Sequence, residues 1–173
     1  MEIRKAKNGE LEQILSFYTV LTEKLAAAGY DLPWRVGIYP TRDLFEAAVS
    51  QQTMYLCIEN DTIIGAAILN GIQGDSYKDI VWQCNPAADE IGVIHLLCTD
   101  PDLHGNGIGK SMVKHLIEEA RASGIKSLRL DVLYHNQPAA KLYEKAGFLK
   151  KGEVQLYYAT TGLTVFWLYE LVL

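Results

Sequence analysis

The chain has 173 residues, 49% of them hydrophobic, with 16 Lys and Arg against 21 Asp and Glu for a net charge of -5. That apolar content buries a core without disulfides and the length suits one domain, residues 1–173, while the acidic balance and the lack of a basic cluster exclude nucleic acid and an anionic membrane as expected partners. There is no run of 18 apolar residues to span a membrane and no apolar leader after Met1, and the singly placed Cys57, Cys84 and Cys98 read as packing thiols rather than a metal site, so a cytoplasmic location is expected.

Glu2 to Lys7 reads as an opening strand, followed by a helix from about Glu10 to Ala28 whose Leu11, Ile14, Leu15, Tyr18, Leu21, Thr22 and Leu25 form one apolar stripe. Gly29 ends it, and the aromatic, Pro-punctuated stretch from Tyr30 to Pro40 reads as a loop. Thr41 can cap a short helix with Leu44, Phe45, Ala48 and Val49 on one face. Met54–Glu59 and Ile63–Asn70 flank Asn60-Asp61-Thr62 as a β-hairpin. A long connection over 71–89 carries Ile80-Val81-Trp82, a triplet that fits either strand or turn.

Ile91–Thr99 is the next strand, and a helix over Gly107–Ser123 turns Ile108, Met112, Val113, Leu116, Ile117 and Ala120 inward before Gly124 stops it. Ser127–Leu133 alternates as a strand, Pro138–Ala146 is a helix with proline in its first turn, and Gly152–Tyr158 and Leu163–Leu171 pair around Thr160-Thr161-Gly162. The result is an α/β domain built on a mixed sheet.

The most specific chemistry lies in the run Asp100-Pro101-Asp102-Leu103-His104-Gly105-Asn106-Gly107-Ile108-Gly109-Lys110 between a strand and a helix. Glycines allow positive φ and close backbone approach, and the first turn of a helix has unpaired N–H groups, so the run suits a pyrophosphate. It fits neither the dinucleotide fingerprint nor the P-loop, whose first glycine would fall on His104. A tight turn without a ligand is the bland alternative. A flavodoxin-type nucleotide binder would need a second phosphate loop near the N-terminus.

Two blocks resemble the GNAT superfamily of N-acetyltransferases. The first is the apolar strand Val93–Thr99 leading through Asp100-Pro101 into His104-Gly105-Asn106-Gly107-Ile108-Gly109, with His104 where the family usually has Gln or Arg. The second is Asn136-Gln137-Pro138-Ala139-Ala140-Lys141-Leu142-Tyr143-Glu144-Lys145-Ala146-Gly147-Phe148, which is similar to the family's Asn-x-x-Ala-x-x-Leu-Tyr-x-x-x-Gly-Phe signature. The resemblance implies the acyl-CoA N-acyltransferase fold: a central, mostly antiparallel mixed sheet with a splayed parallel pair, flanked by helices. It also implies acetyl-CoA as cosubstrate, no metal, and direct transfer of acetyl to a primary amine of a small molecule or protein.

By that resemblance the pantetheine lies beside Leu97, Cys98 and Thr99, the diphosphate against His104 to Lys110, and Asn136 and Tyr143 near the thioester. Tyr143 would protonate the departing thiolate, with plain packing as the alternative. His95 and Glu90 are the candidates for accepting the amine proton, since the position most often acidic in one branch of the family is Val93 here. Trp34, Tyr39 and Trp82 would wall the acceptor pocket, or else plug the core. Late strands in the family contribute to dimers, and Val165–Leu171 is apolar on both faces, so a homodimer is expected unless helices cover it. A non-catalytic acyl-CoA sensor is the alternative function.

Overall fold

A computed structural model describes residues 1–30, 33–158 and 162–173. In chain order the elements are β1 (Glu2–Lys5), α1 (Leu11–Ala27), α2 (Arg42–Ser50), β2 (Met54–Glu59), β3 (Thr62–Asn70), β4 (Ile91–Thr99), α3 (Ile108–Ala122), β5 (Ser127–Leu133), α4 (Gln137–Lys145), β6 (Leu149–Tyr158) and β7 (Gly162–Val172). Among the described residues the sheet runs β1-β2-β3-β4-β5-β7-β6. Most of its pairings are antiparallel, with β4 and β5 parallel. No helix among the described residues is long and apolar enough to cross a membrane. The turn expected at Thr160-Thr161 lies outside the described residues.

The chain forms two compact units, one built on Met1–Ile68 and Leu96–Gly109, the other on Leu69–His95, Lys110–Tyr157 and Gly162–Leu173. In the first, α1 presents the expected stripe: Ile14, Tyr18 and Leu21, spaced by four and three residues, are buried, and Ile14 and Tyr18 lie among Phe45, Val49, Met54, Leu56 and Ile63. Glu10 receives Arg4 at 2.6 and 2.9 Å and the Lys7 N–H at 2.6 Å, which pins the start of α1 to the end of β1. The Thr41 side chain caps α2 by accepting from the Leu44 N–H. Asn60 and Asp61 both take positive φ, +49° and +59°, so the hairpin closes on two residues with the twist its strands favour, and β3 starts at Thr62.

In the second unit β4 and β5 pair over Ile91↔Ser127, Gly92↔Leu128 and Val93↔Arg129. β5 then pairs with β7 along its whole length, from Ser127↔Val172 to Leu133↔Phe166. The 71–90 connection is neither an added strand nor a free loop: 3₁₀ turns at Asp75–Asp79 and Ala88–Glu90 bracket Ile80-Val81-Trp82. Tyr77, Ile80 and Trp82 pack with Ile91, Val93, Val154 and Leu168. Gly152 permits this cover, because a Cβ there would stand 2.7 Å from Ile80 Cδ1.

Beside that apolar patch lies a buried ion pair, Arg129 with Glu170, 3% and 1% exposed. Charges this deep need full hydrogen bonding, and the connection supplies it. Arg129 donates to Gln73 Oε1 at 2.7 Å and to the Cys84 carbonyl at 3.0 Å, and its guanidinium lies 4.1 Å from the Trp82 ring centroid. Glu170 accepts from the Gln83 N–H at 2.5 Å and from Ser127 Oγ at 2.7 Å. The connection is thus fastened to the sheet by charge as well as by apolar contact.

Candidate active site

The glycine run forms an exposed cradle in the first unit. Asp100 accepts from the Asp102 N–H at 3.1 Å to start a turn over Pro101–Leu103, and Lys24 of α1 binds Asp100 at 2.9 Å and Asp102 at 2.6 Å. His104, Gly105, Asn106 and Gly107 are exposed, with Gly105 at φ +90° and Gly107 at φ +77°, values that an L side chain adopts only with strain. A Cβ at either glycine would meet nothing within 4 Å. The glycines are required by backbone shape, and the space above them is open. Ile108 begins α3, so the N–H groups of its first turn lack intrahelical partners and, with the positive end of the helix dipole, suit an anion.

Upstream, β4 breaks its extended course at Leu96, where φ is +52°. For a Leu this conformation is sparsely populated and persists only where surroundings fix it. Tyr18, fully buried in α1, does so by donating its phenol to the Leu96 carbonyl at 2.8 Å. Leu97, Cys98 and Thr99 follow, each half-buried. Desolvation pushes the Cys98 thiol up to about 12 and its Sγ lies 3.9 Å from the Ala66 carbonyl, so it is no thiolate nucleophile. Trp34 and Tyr39 pack on the same core, Trp34 edge-on to Tyr18 at 6.4 Å.

The second block belongs to the other unit. Asn136 caps α4, its Oδ1 accepting from the Ala139 N–H at 3.2 Å. Tyr143 is 6% exposed and meets Phe148 edge-on at 5.6 Å. A groove of about 820 Å³ runs along α3 and α4. Lys110, Lys114, Arg121, Lys141 and Lys145 line it against a single carboxylate, Glu118, with an apolar floor that includes Val113, Ile117 and Leu142. Of these cations the sequence reading singled out only Lys110. The others show as one face only when two helices distant in sequence are brought together.

The same unit places the proposed bases differently. Glu90 pairs with Lys126 at 2.5 Å and accepts from the Ala87 N–H at 3.0 Å, and these bonds hold its carboxyl below the usual range. His95 Nε2 is 3.1 Å from Asn70 Oδ1, which also accepts the Ile72 N–H at 2.9 Å. That second bond orients the amide with its oxygen toward the ring, where it can accept from Nε2. Burial lowers the His95 pKa, opposed by the negative charge of Asp131. Burial raises the Asp131 pKa, opposed by the Tyr77 phenol, which donates to Oδ2 at 2.8 Å, and by His95. Trp82 also stands here, its Nε1 donating to the Tyr77 carbonyl at 2.9 Å. Asp131, Tyr77 and Asn70 escaped the sequence reading; the one available signal was a carboxylate inside the apolar run Leu128–Leu133.

The chain matches the Acetyltransferase (GNAT) family over residues 18–148. It belongs to that family. It is 37% identical over 65 residues to the [ribosomal protein bS18]-alanine N-acetyltransferase of Escherichia coli, 38% of this chain and 44% of that one. The chain thus spans less than half the length of that curated relative. Among solved structures, a GNAT family acetyltransferase of Streptococcus agalactiae superposes with a TM-score of 0.81 at 19% identity, covering 99% of this chain and 95% of the other. The protein yncA of Salmonella typhimurium, solved with its cofactor acetyl-CoA, has a TM-score of 0.71 at 16% identity, covering 99% and 92%. These likenesses establish the GNAT fold, including the parallel β4–β5 pair within a mostly antiparallel sheet.

Proposed function

We propose that this GNAT chain transfers an acetyl group from acetyl-CoA to a primary amine of a small molecule or a protein, by direct attack in a ternary complex. The observation that carries this reading is the groove of the second unit along α3 and α4, which sets five cations and one carboxylate around an apolar floor. That donor set fits a polyanion with an apolar portion, and CoA is such a molecule. When bound, acetyl-CoA supplies an activated acyl carbon and a thiolate leaving group.

The backbone of Leu97, Cys98 and Thr99 would hold the pantetheine amides. His104, Gly105, Asn106, Gly107, Ile108, Gly109 and Lys110 would hold the diphosphate, with Asn136 near the thioester. Tyr143 gives a proton to the departing sulfur, and His95 takes one from the amine. His95 is preferred over Glu90, whose carboxylate is already committed to Lys126. Trp34, Tyr39 and Trp82 would contact the acceptor.

Thiol release from acetyl-CoA across a panel of primary amines tests the reading, with calorimetry for acetyl-CoA binding. Tyr143→Phe keeps the ring but removes its proton, so turnover should fall about 10- to 1000-fold with little change in acetyl-CoA affinity. Exposed His104, standing in place of the family's Gln or Arg, supports a second reading as an acyl-CoA-binding sensor. Retained CoA without thiol release for any amine would favour it. A homodimer in the cytoplasm completes the proposal, and a single-chain mass by light scattering at micromolar concentration would remove the dimer.

A further inference from the structure

One face of α1 stays open. Glu12, Ser16, Val20 and Lys24 follow one another at the helical spacing of four, with Phe17 and Leu21 beside them, and this stripe walls a cavity of about 570 Å³ in the first unit. Asp61 at the turn between β2 and β3, Ile63 of β3 and Asp100 close it. Phe17, Val20, Leu21 and Ile63 make the apolar lining, and Val20 is 46% exposed on a helix whose other exposed positions here, Glu12, Gln13 and Ser16, are polar. Phe17 meets Tyr18 edge-on at 5.5 Å, which holds its ring in place. A volume of this size is that of a small-molecule site rather than a packing flaw.

The charge around this lining is unbalanced. Glu12, Asp61 and Asp100 bring three carboxylates against the single ammonium of Lys24. Lys24 is already committed to Asp100 at 2.9 Å and to Asp102 at 2.6 Å, and Glu12 is paired with Arg42, which also binds Glu46 at 2.9 Å. Asp61 is exposed and has no ion-pair partner among the described residues. An apolar lining with an unanswered carboxylate at its rim fits an organic cation that sets its charge at Asp61 and its hydrocarbon on Val20 and Phe17, whereas an anion would meet carboxylates on three sides.

We propose that this cavity is an effector site for an organic monocation with an apolar body, such as an aralkylammonium ion, and that its occupation strengthens acetyl-CoA binding at the glycine cradle. The effector role rests on the transferase reading above; the cavity does not. Cavity and cradle share two residues. Asp100 lines the cavity and, by accepting the Asp102 N–H at 3.1 Å, starts the turn that leads the chain to Gly105. Lys24 lines it too and grips that turn through both carboxylates. A cation bound here adds positive charge to the acidic side of the cradle, which favours a polyanion there, and linkage makes the effect reciprocal.

Benzyltrimethylammonium is the probe, because its quaternary nitrogen has no proton to lose and cannot be acetylated, with benzyl alcohol and benzenesulfonate as neutral and anionic controls. Saturation-transfer NMR on the full-length protein should show the cation bound and both controls about fivefold weaker or worse. Asp61→Asn should weaken the cation about threefold, and Val20→Arg, which sets a like charge at an exposed position, should abolish its binding. Equal binding of the three probes overturns the cation site, and so does binding that survives Val20→Arg. Calorimetry at low salt should show acetyl-CoA bound about two- to threefold more tightly with the probe saturating, a gain that fades in about 1 M salt. An unchanged affinity overturns the effector role, as does probe inhibition competitive with the acceptor amine, which would put the probe in the acceptor's own site. Wild type that binds no acetyl-CoA fails the transferase reading instead, while the probe titration, which contains none, still decides the cavity.

Discussion

The glycine cradle and the polar face of the second unit are built from opposite materials. The cradle is exposed backbone, shaped by two glycines of positive φ and steadied from outside by Lys24. The polar face is buried side chains, in which Arg129, Glu170, His95 and Asp131 are each answered by a named partner. A cradle of this kind tolerates change around it but not in its φ angles. A buried charge network tolerates neither, since removing one member strands another away from water.

The largest expected effect breaks the buried side of this contrast. Arg129→Ala leaves Glu170 uncompensated at 1% exposure and frees Gln73 and the Cys84 carbonyl, so stability should fall by about 3–5 kcal/mol in urea denaturation. A loss below about 1 kcal/mol would show that the pair is not a keystone of the face. Next comes the exposed side: Gly107→Asp forces a side chain onto φ +77° and puts a negative charge in the cradle. Calorimetry should show acetyl-CoA binding weakened by about 2 kcal/mol, roughly 30-fold, in a folded variant.

Tyr18→Phe probes the strained turn of β4. The Leu96 carbonyl loses its phenol, and the expected cost is about 1–2 kcal/mol of stability. Unchanged urea midpoints would mean that the positive φ of Leu96 needs no support from α1. Lys24→Ala should do least: the melting temperature holds, acetyl-CoA affinity declines modestly at low salt, and the difference disappears in about 1 M salt, as expected for an exposed ion pair. A defect that persists at high salt would make Lys24 part of the cradle rather than its outer brace.

What could be read from the chain divides along the same line. Asn60-Asp61 announced a hairpin, Gly29 and Gly124 announced helix ends, and Thr41 announced a cap, because each acts through its immediate neighbours. The strand Ile91–Thr99 and the helix after the glycines were legible for the same reason. The positive φ at Leu96 was not, for a Leu gives no local sign of it; a tyrosine 78 residues earlier holds the carbonyl. Nor were the partners of His95 and Asp131, which are Asn70 and Tyr77 from distant stretches of the chain. The 71–90 connection had no periodicity to declare that Tyr77, Trp82 and Gln83 would lie on buried charge. Its order comes from Arg129 and Glu170.

One practical consequence follows from the way the core around Tyr18 treats Cys98. With its thiol pushed up to about 12 by burial, Cys98 stays protonated near neutral pH and should react slowly with a disulfide dye during an assay. Burial also raises the Cys57 thiol. Replacing Cys84 alone should therefore lower the protein's own thiol signal, so that the thiol counted in the cuvette comes mainly from the acyl donor.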